Sequence, residues 1–193
     1  MAELAQKRTV STQEKQGFST QDLILIAVLL AAGAVLKLTV SSFLTFAGMK
    51  PNFMIAMYCL AIILTRPKVY QAGIIGLLTG LISQIPMLNA TPLVNLASEL
   101  IGALVCGLLV VAFSKAAKDN FAAQNVAFPA VITFISTVFS GYSFAIIVGC
   151  AMNGMALPAV LVAYAVMVLG TAALNAVLAA ILTPVLKKAL KLA

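Results

Sequence analysis

With 193 residues, 63% of them hydrophobic and 9% charged, and a mean hydropathy of +1.12, the chain lies far from the roughly 25% charged content of soluble domains. That balance excludes a water-soluble globular fold and leaves an integral membrane protein. The formal charge of +7 does not call for nucleic acid, because the basic residues sort by position along the chain.

The first 21 residues, rich in Gln, Ser, Thr and Lys, read as a polar tail in water. Residues 22–186 read as a membrane domain, and 187–193 as a basic tail. Apolar segments lie at 23–40, 51–65, 69–85, 93–113, 128–150 and 157–182. A hydrocarbon core of about 30 Å takes about 20 helical residues, so the second and third are short; they tilt little or begin inside a protein-lined cavity. The runs are continuously apolar, which suits helices and not the alternating strands of a barrel. The expected class is all-α, with six transmembrane helices. The first run is full length and carries no small-residue cleavage pattern, so no signal peptide is expected.

In the first segment, Ala27 and Ala31 are four apart and give a smooth strip, and Lys37 near its end reads as an interfacial anchor whose stem snorkels. Lys50, Pro51 and Asn52 form the mouth of the second, where Lys50 either snorkels or meets a ligand. The third carries Gly76 and Gly80, a spacing that admits a close neighbour, and then Thr79, Ser83 and Gln84. The fourth places Asn95, Ser98 and Glu99 in its first half, with Asn95 and Glu99 on one face. Glu99 is the sole acidic side chain within the six segments. An ionisable group at membrane depth costs ~2.5 to 3.5 kcal/mol on insertion scales and marks a functional site.

On the fifth segment Thr133, Ser136, Thr137, Ser140 and Gly141 form a one-sided stripe that leads to Tyr142 and Ser143. The sixth aligns Tyr164, Thr171 and Asn175. Singly, such hydroxyls also tie helices together or bond back to their own carbonyls.

Lys7, Arg8, Lys15, Arg66, Lys68, Lys115, Lys118, Lys187, Lys188 and Lys191 all fall on one side of a six-helix topology, leaving Lys37 and Lys50 for the other. The positive-inside rule then puts both termini in the cytoplasm, with outer loops at about 41–51, 86–92 and 151–156. Most intramembrane polar residues fall in the outer half, and Thr133 and Asn175 toward the cytoplasm. That distribution implies a pocket open to, or capped from, the outside and not a continuous pore.

Catalytic chemistry lacks its usual groups: there is no histidine, no paired carboxylates, no Gly-x-Ser-x-Gly and no phosphate loop. No cofactor or metal is expected. Cys59, Cys106 and Cys150 stand singly in apolar runs and read as small core residues. The Asn89-Ala90-Thr91 sequon reads as chance.

Chain length, six helices, cytoplasmic ends and the Ala27–Ala31 strip together resemble the substrate-binding S component of energy-coupling factor transporters. Gly48-Met49-Lys50-Pro51-Asn52, the Met-containing helix after it, Pro67-Lys68-Val69 and residues 76–83 (Gly-Leu-Leu-Thr-Gly-Leu-Ile-Ser) are similar to the tryptophan-transporter branch. That branch is expected to carry Asp where this chain has Asn52. The resemblance implies a bacterial cytoplasmic-membrane subunit that binds tryptophan, or alternatively a vitamin, outside. It would deliver its ligand with a membrane-embedded T component, docked at Ala27 and Ala31, and two ATPase subunits.

For an amino acid, Lys50 would take the carboxylate and Glu99 the ammonium, because an unpaired buried charge costs several kcal/mol. Glu99 could instead accept the indole N–H. Asn52, Gln84 and Asn95 complete the expected polar set, with Tyr142 and Tyr164 as ring partners. From the residues alone, a proton-coupled carrier using Glu99 or a scaffold subunit remains open.

Overall fold

The computed structural model describes residues 17–44, 50–85, 88, 91–116 and 126–191. The expected polar tail up to residue 16, Gly48 and Met49 of the motif, Asn89 and Ala90 of the sequon, and Lys118 lie outside them. All regular structure among the described residues is helical: α1 (Thr20–Leu38), α2 (Val40–Phe43), α3 (Met54–Thr65), α4 (Val69–Ile82), α5 (Pro92–Ala116), α6 (Ala127–Ile146), a π-helical turn (Ile147–Met152) and α7 (Leu157–Ala189).

Local chemistry sets these ends. Ser19 caps α1 in a reciprocal box with Asp22, so the helix starts three residues before the apolar run. Arg66, in the left-handed conformation at φ 47°, ends α3. Pro67 follows it, and the Gln71 side chain accepts the Lys68 N–H to start α4. The sixth segment runs past its expected limit, through Pro184, so Lys187 and Lys188 form the last turn of α7.

Four helical stretches, Thr20–Leu38, Pro92–Ser114, Ala127–Met152 and Leu157–Ala189, are long and apolar enough to cross a membrane. The chain is a multi-pass membrane protein, with apolar side chains on its outside: Val162, Val166, Leu169, Val177, Ile181 and Val185 form a stripe along α7. The 12 residues of α3 and 14 of α4 rise only about 18 and 21 Å. Every residue of α3 from Met54 to Ile63 is buried, as expected of a helix apolar on all sides. It is enclosed by α1, α4, α5, α6 and α7.

Close packing fixes the register of this bundle. A Cβ at Gly76 would lie 2.6 Å from both Ala103 Cβ and the Glu99 carbonyl oxygen, and one at Gly80 2.9 Å from Leu96 Cα. At the other end, Gly107 faces Ala72. Thus α4 and α5 run antiparallel with backbones nearly touching, as the Gly76–Gly80 spacing predicts. Gly33 of α1 meets Met54 and Met57, Gly141 of α6 meets Val168, and Gly149 of the π turn meets Val160.

A buried polar cluster at the head of a half-length helix

The chain enters α3 through Pro51, Asn52 and Phe53, and this non-helical stretch lies inside the protein. Its backbone oxygens are satisfied by side chains from other helices. The Ser41 hydroxyl of α2 donates to the Pro51 carbonyl at 2.7 Å, and the Asn175 amide of α7 donates to the Asn52 carbonyl at 3.0 Å. Irregular backbone at membrane depth is tolerated only with such partners. The first-turn N–H groups of α3, like those of any helix, have no intrahelical acceptor, and Phe53 provides no side-chain cap for them.

One chain of hydrogen bonds organises the cluster. Thr137 donates its hydroxyl proton to the Thr133 carbonyl at 2.7 Å, and its oxygen accepts from Asn175 Nδ2 at 3.3 Å. Asn52 Nδ2 then donates to Glu99 Oε1 at 2.5 Å. Three helices and the α3 entry strand are tied in this way to one carboxylate. Glu99 is fully buried, about 10 Å along α5 from its start. Its second oxygen, Oε2, has no hydrogen-bond partner. The hydroxyls of Tyr58 and Ser140 lie within electrostatic reach, brought there because Gly102 has no side chain to hold them off. Lys37 is the remaining charge that acts on Glu99.

Most buried side-chain polar atoms without partners among the described residues lie here: Lys37 Nζ, Asn52 Oδ1, Tyr58 Oη, Asn95 Nδ2, Glu99 Oε2 and Asn175 Oδ1, the others being the hydroxyls of Thr133, Ser136 and Thr171. Each such atom costs about 1 to 3 kcal/mol when left dry, so the cluster gathers unmet bonding capacity in one place. Below it, Thr133 and Ser136 approach the free thiol of Cys59, which lies beside that of Cys106; both cysteines are buried, as expected of core residues.

The expected residues separate into two groups. Asn52, Asn95 and Glu99 belong to the cluster, and the stripe Thr133, Ser136, Thr137 and Ser140 is buried throughout. Lys50 is exposed, and Tyr142 and Tyr164 are half-buried; Tyr142 reaches the Leu161 carbonyl at 3.4 Å. Gln84 uses its amide to join α4 to α5, donating to the Gly80 and Pro92 carbonyls at 2.8 and 2.9 Å. Ala27 and Ala31 lie on the exposed face of α1 with Ile24, Val28 and Val35.

Two expectations are corrected. Lys37 is no interfacial anchor: it is 6% exposed and its charge interacts with that of Glu99. The sign was present in the spacing, since Ile26, Leu29, Leu30, Gly33 and Lys37 recur every three or four residues on one face, all buried. Asn175 does not sit below the polar cluster but within it. Residues 151–159 are exposed, so α7 begins beyond its neighbours and a count from its first residue overstates depth. Tyr58 and Ser41, unremarked in the sequence, are the other members that were missed.

Comparison with known proteins adds an independent line. The family described as the tryptophan transporter TrpP matches residues 19–191. A protein of Bacillus subtilis (strain 168), named as a probable tryptophan transport protein, is 31% identical over 174 residues, covering 89% of this chain and 94% of its own. No solved structure matches significantly.

Proposed function

This chain belongs to the TrpP tryptophan transporter family, and from that membership we propose that it is a tryptophan-binding S component of an energy-coupling factor importer. The observation that carries the binding role is the relay ending on Glu99, whose Oε2 is left without a partner beside other unsatisfied polar atoms. A carboxylate so placed accepts an α-ammonium or an indole N–H as a charge-assisted bond. Phe53, buried next to Asn52, supplies an aromatic wall, and Tyr142 and Tyr164 lie higher on α6 and α7.

The short α3 and α4 count as two crossings, completing six, with both termini and the Arg66–Lys68 turn on the cytoplasmic side. Glu99 then lies in the outer part of the membrane and the ligand enters from outside. The exposed strip holding Ala27 and Ala31 is the face offered to the T component, and ATP hydrolysis belongs to two partner subunits.

The absence of tryptophan from the chain makes the test direct. Protein in nanodiscs is titrated with L-tryptophan under excitation where only indole absorbs, with phenylalanine and a panel of vitamins as competitors. A saturable shift that weakens about tenfold or more in Glu99→Gln supports the reading. No shift from folded protein refutes the tryptophan assignment, and transport by the chain alone under a proton gradient refutes the S-component role.

A further inference from the structure

We propose that Lys37, together with the uncapped head of α3, forms the carboxylate-binding half of the site, so that the ligand is held as a zwitterion between Lys37 and Glu99. The inference rests on the reading of this cluster as the substrate site and assigns to Lys37 the role expected of Lys50 from the residues alone.

Four observations carry it. Lys37 Nζ is buried and has no hydrogen-bond partner. Its charge and that of Glu99 act on one another, yet neither Nζ nor Oε2 is hydrogen-bonded, so the two are complementary groups with an unfilled bonding site on each. Gly33 brings α1 within touching distance of the first residue of α3: a Cβ there would stand 3.2 Å from Met54 Cα. Lys37, one turn further along the same face, is therefore carried past the start of α3, whose first N–H groups have no intrahelical acceptor and no side-chain cap.

An ammonium and a set of helix N-terminal amides pointed at one place favour an anion for two reasons: the amides donate, and the helix dipole leaves partial positive charge at that end. Discontinuous membrane helices present this end to the carboxylates of amino-acid substrates. Glu99, which accepts from Asn52, has the opposite preference. A ligand with ammonium and carboxylate on one carbon satisfies both groups. An amine without the carboxylate leaves Lys37 buried and unpaired, and an acid without the amine does the same to Glu99, so each is rejected by the cost of the charge it leaves behind.

The experiment compares wild type with Lys37→Met, Lys37→Arg and Lys50→Met in nanodiscs. L-tryptophan, tryptamine and indole-3-propionate are each measured by competition, and folding is checked by thermal unfolding. Wild type is expected to prefer L-tryptophan to both truncated ligands by about tenfold or more. Lys37→Met weakens L-tryptophan by a similar factor and narrows its advantage over tryptamine, Lys37→Arg restores part of that advantage, and Lys50→Met changes neither.

A folded Lys37→Met protein with wild-type affinity and preference overturns the proposal. So does a wild type that binds tryptamine as well as L-tryptophan, which decides the matter even if Lys37→Met fails to fold. If wild type ignores tryptophan, unfolding scans with the other amino acids separate the two readings. Lys37-dependent stabilisation by another zwitterion keeps this proposal and removes tryptophan; stabilisation by none removes both.

Discussion

At Asn175, one amide nitrogen serves two acceptors, the Asn52 carbonyl and the Thr137 hydroxyl, and both belong to the structure that holds Glu99. Replacing it with Leu removes the donor and leaves a buried carbonyl dry, at a cost of about 1 to 3 kcal/mol. We expect Asn175→Leu to lower the unfolding temperature and to weaken ligand binding, because Asn52 then loses its orientation toward Glu99. Tyr58 presents the reverse case. Its hydroxyl is fully buried and has no partner, so Tyr58→Phe removes an unsatisfied group and leaves nothing newly exposed. Thermal unfolding should show stability kept or raised by up to about 1 kcal/mol. A clear loss would show that the hydroxyl is bonded in the working protein, with Glu99 or Ser140 as the partner within reach.

Among the elements, the pair α4 and α5 sets the position of Glu99, because the Glu99 carbonyl is among the atoms against which Gly76 packs. A methyl group at Gly76 meets backbone that cannot retreat without moving α5, and overpacking of this kind costs about 1 to 3 kcal/mol. Gly76→Ala should therefore reduce both stability and tryptophan affinity, whereas Gly170→Ala, where a Cβ has open space, should reduce neither. Chemical unfolding paired with ligand titration separates the two.

Much at this scale could be read from the chain. The spacing of Gly76 and Gly80 marks the close approach, and the stripe from Thr133 to Ser140 marks the inner face of α6; of the two readings open for the short segments, little tilt or a start inside the protein, the second fits α3, whereas α4 starts at exposed Lys68 and Tyr70. Depth was less legible. A lysine near a helix end defaults to snorkelling, and only the three-and-four spacing behind Lys37 argues otherwise; a count along α7 does not give the level of Asn175, because helices need not begin in one plane. Contacts across more than a hundred residues, such as Asn175 with Asn52, leave no local trace in composition or period.

Taken whole, the bundle keeps its polar groups inside and apolar ones outside, and the face of α1 that carries Ala27 and Ala31 has no neighbour among the described residues that buries it. Adding bulk there tests docking without disturbing the cluster. Ala31→Leu is expected to leave tryptophan affinity within about twofold and to reduce ATP-driven uptake in proteoliposomes with the proposed partner subunits by about tenfold or more. Equal losses of binding and uptake would place Ala31 in the fold and not at an interface.

The enclosure of α3 also imposes an order of events at the ribosome. This helix is made early, yet α5, α6 and α7, which surround it, are made after it. The Asn52 carbonyl precedes its Asn175 partner by 123 residues, so at roughly 5 to 20 residues per second it waits on the order of 6 to 25 s for that partner to be synthesised. During this interval the polar entry segment and the half-length helix behind it must be sheltered by the insertion machinery. The bundle closes on its last helix, and chains that terminate before α7 are the ones quality control should find.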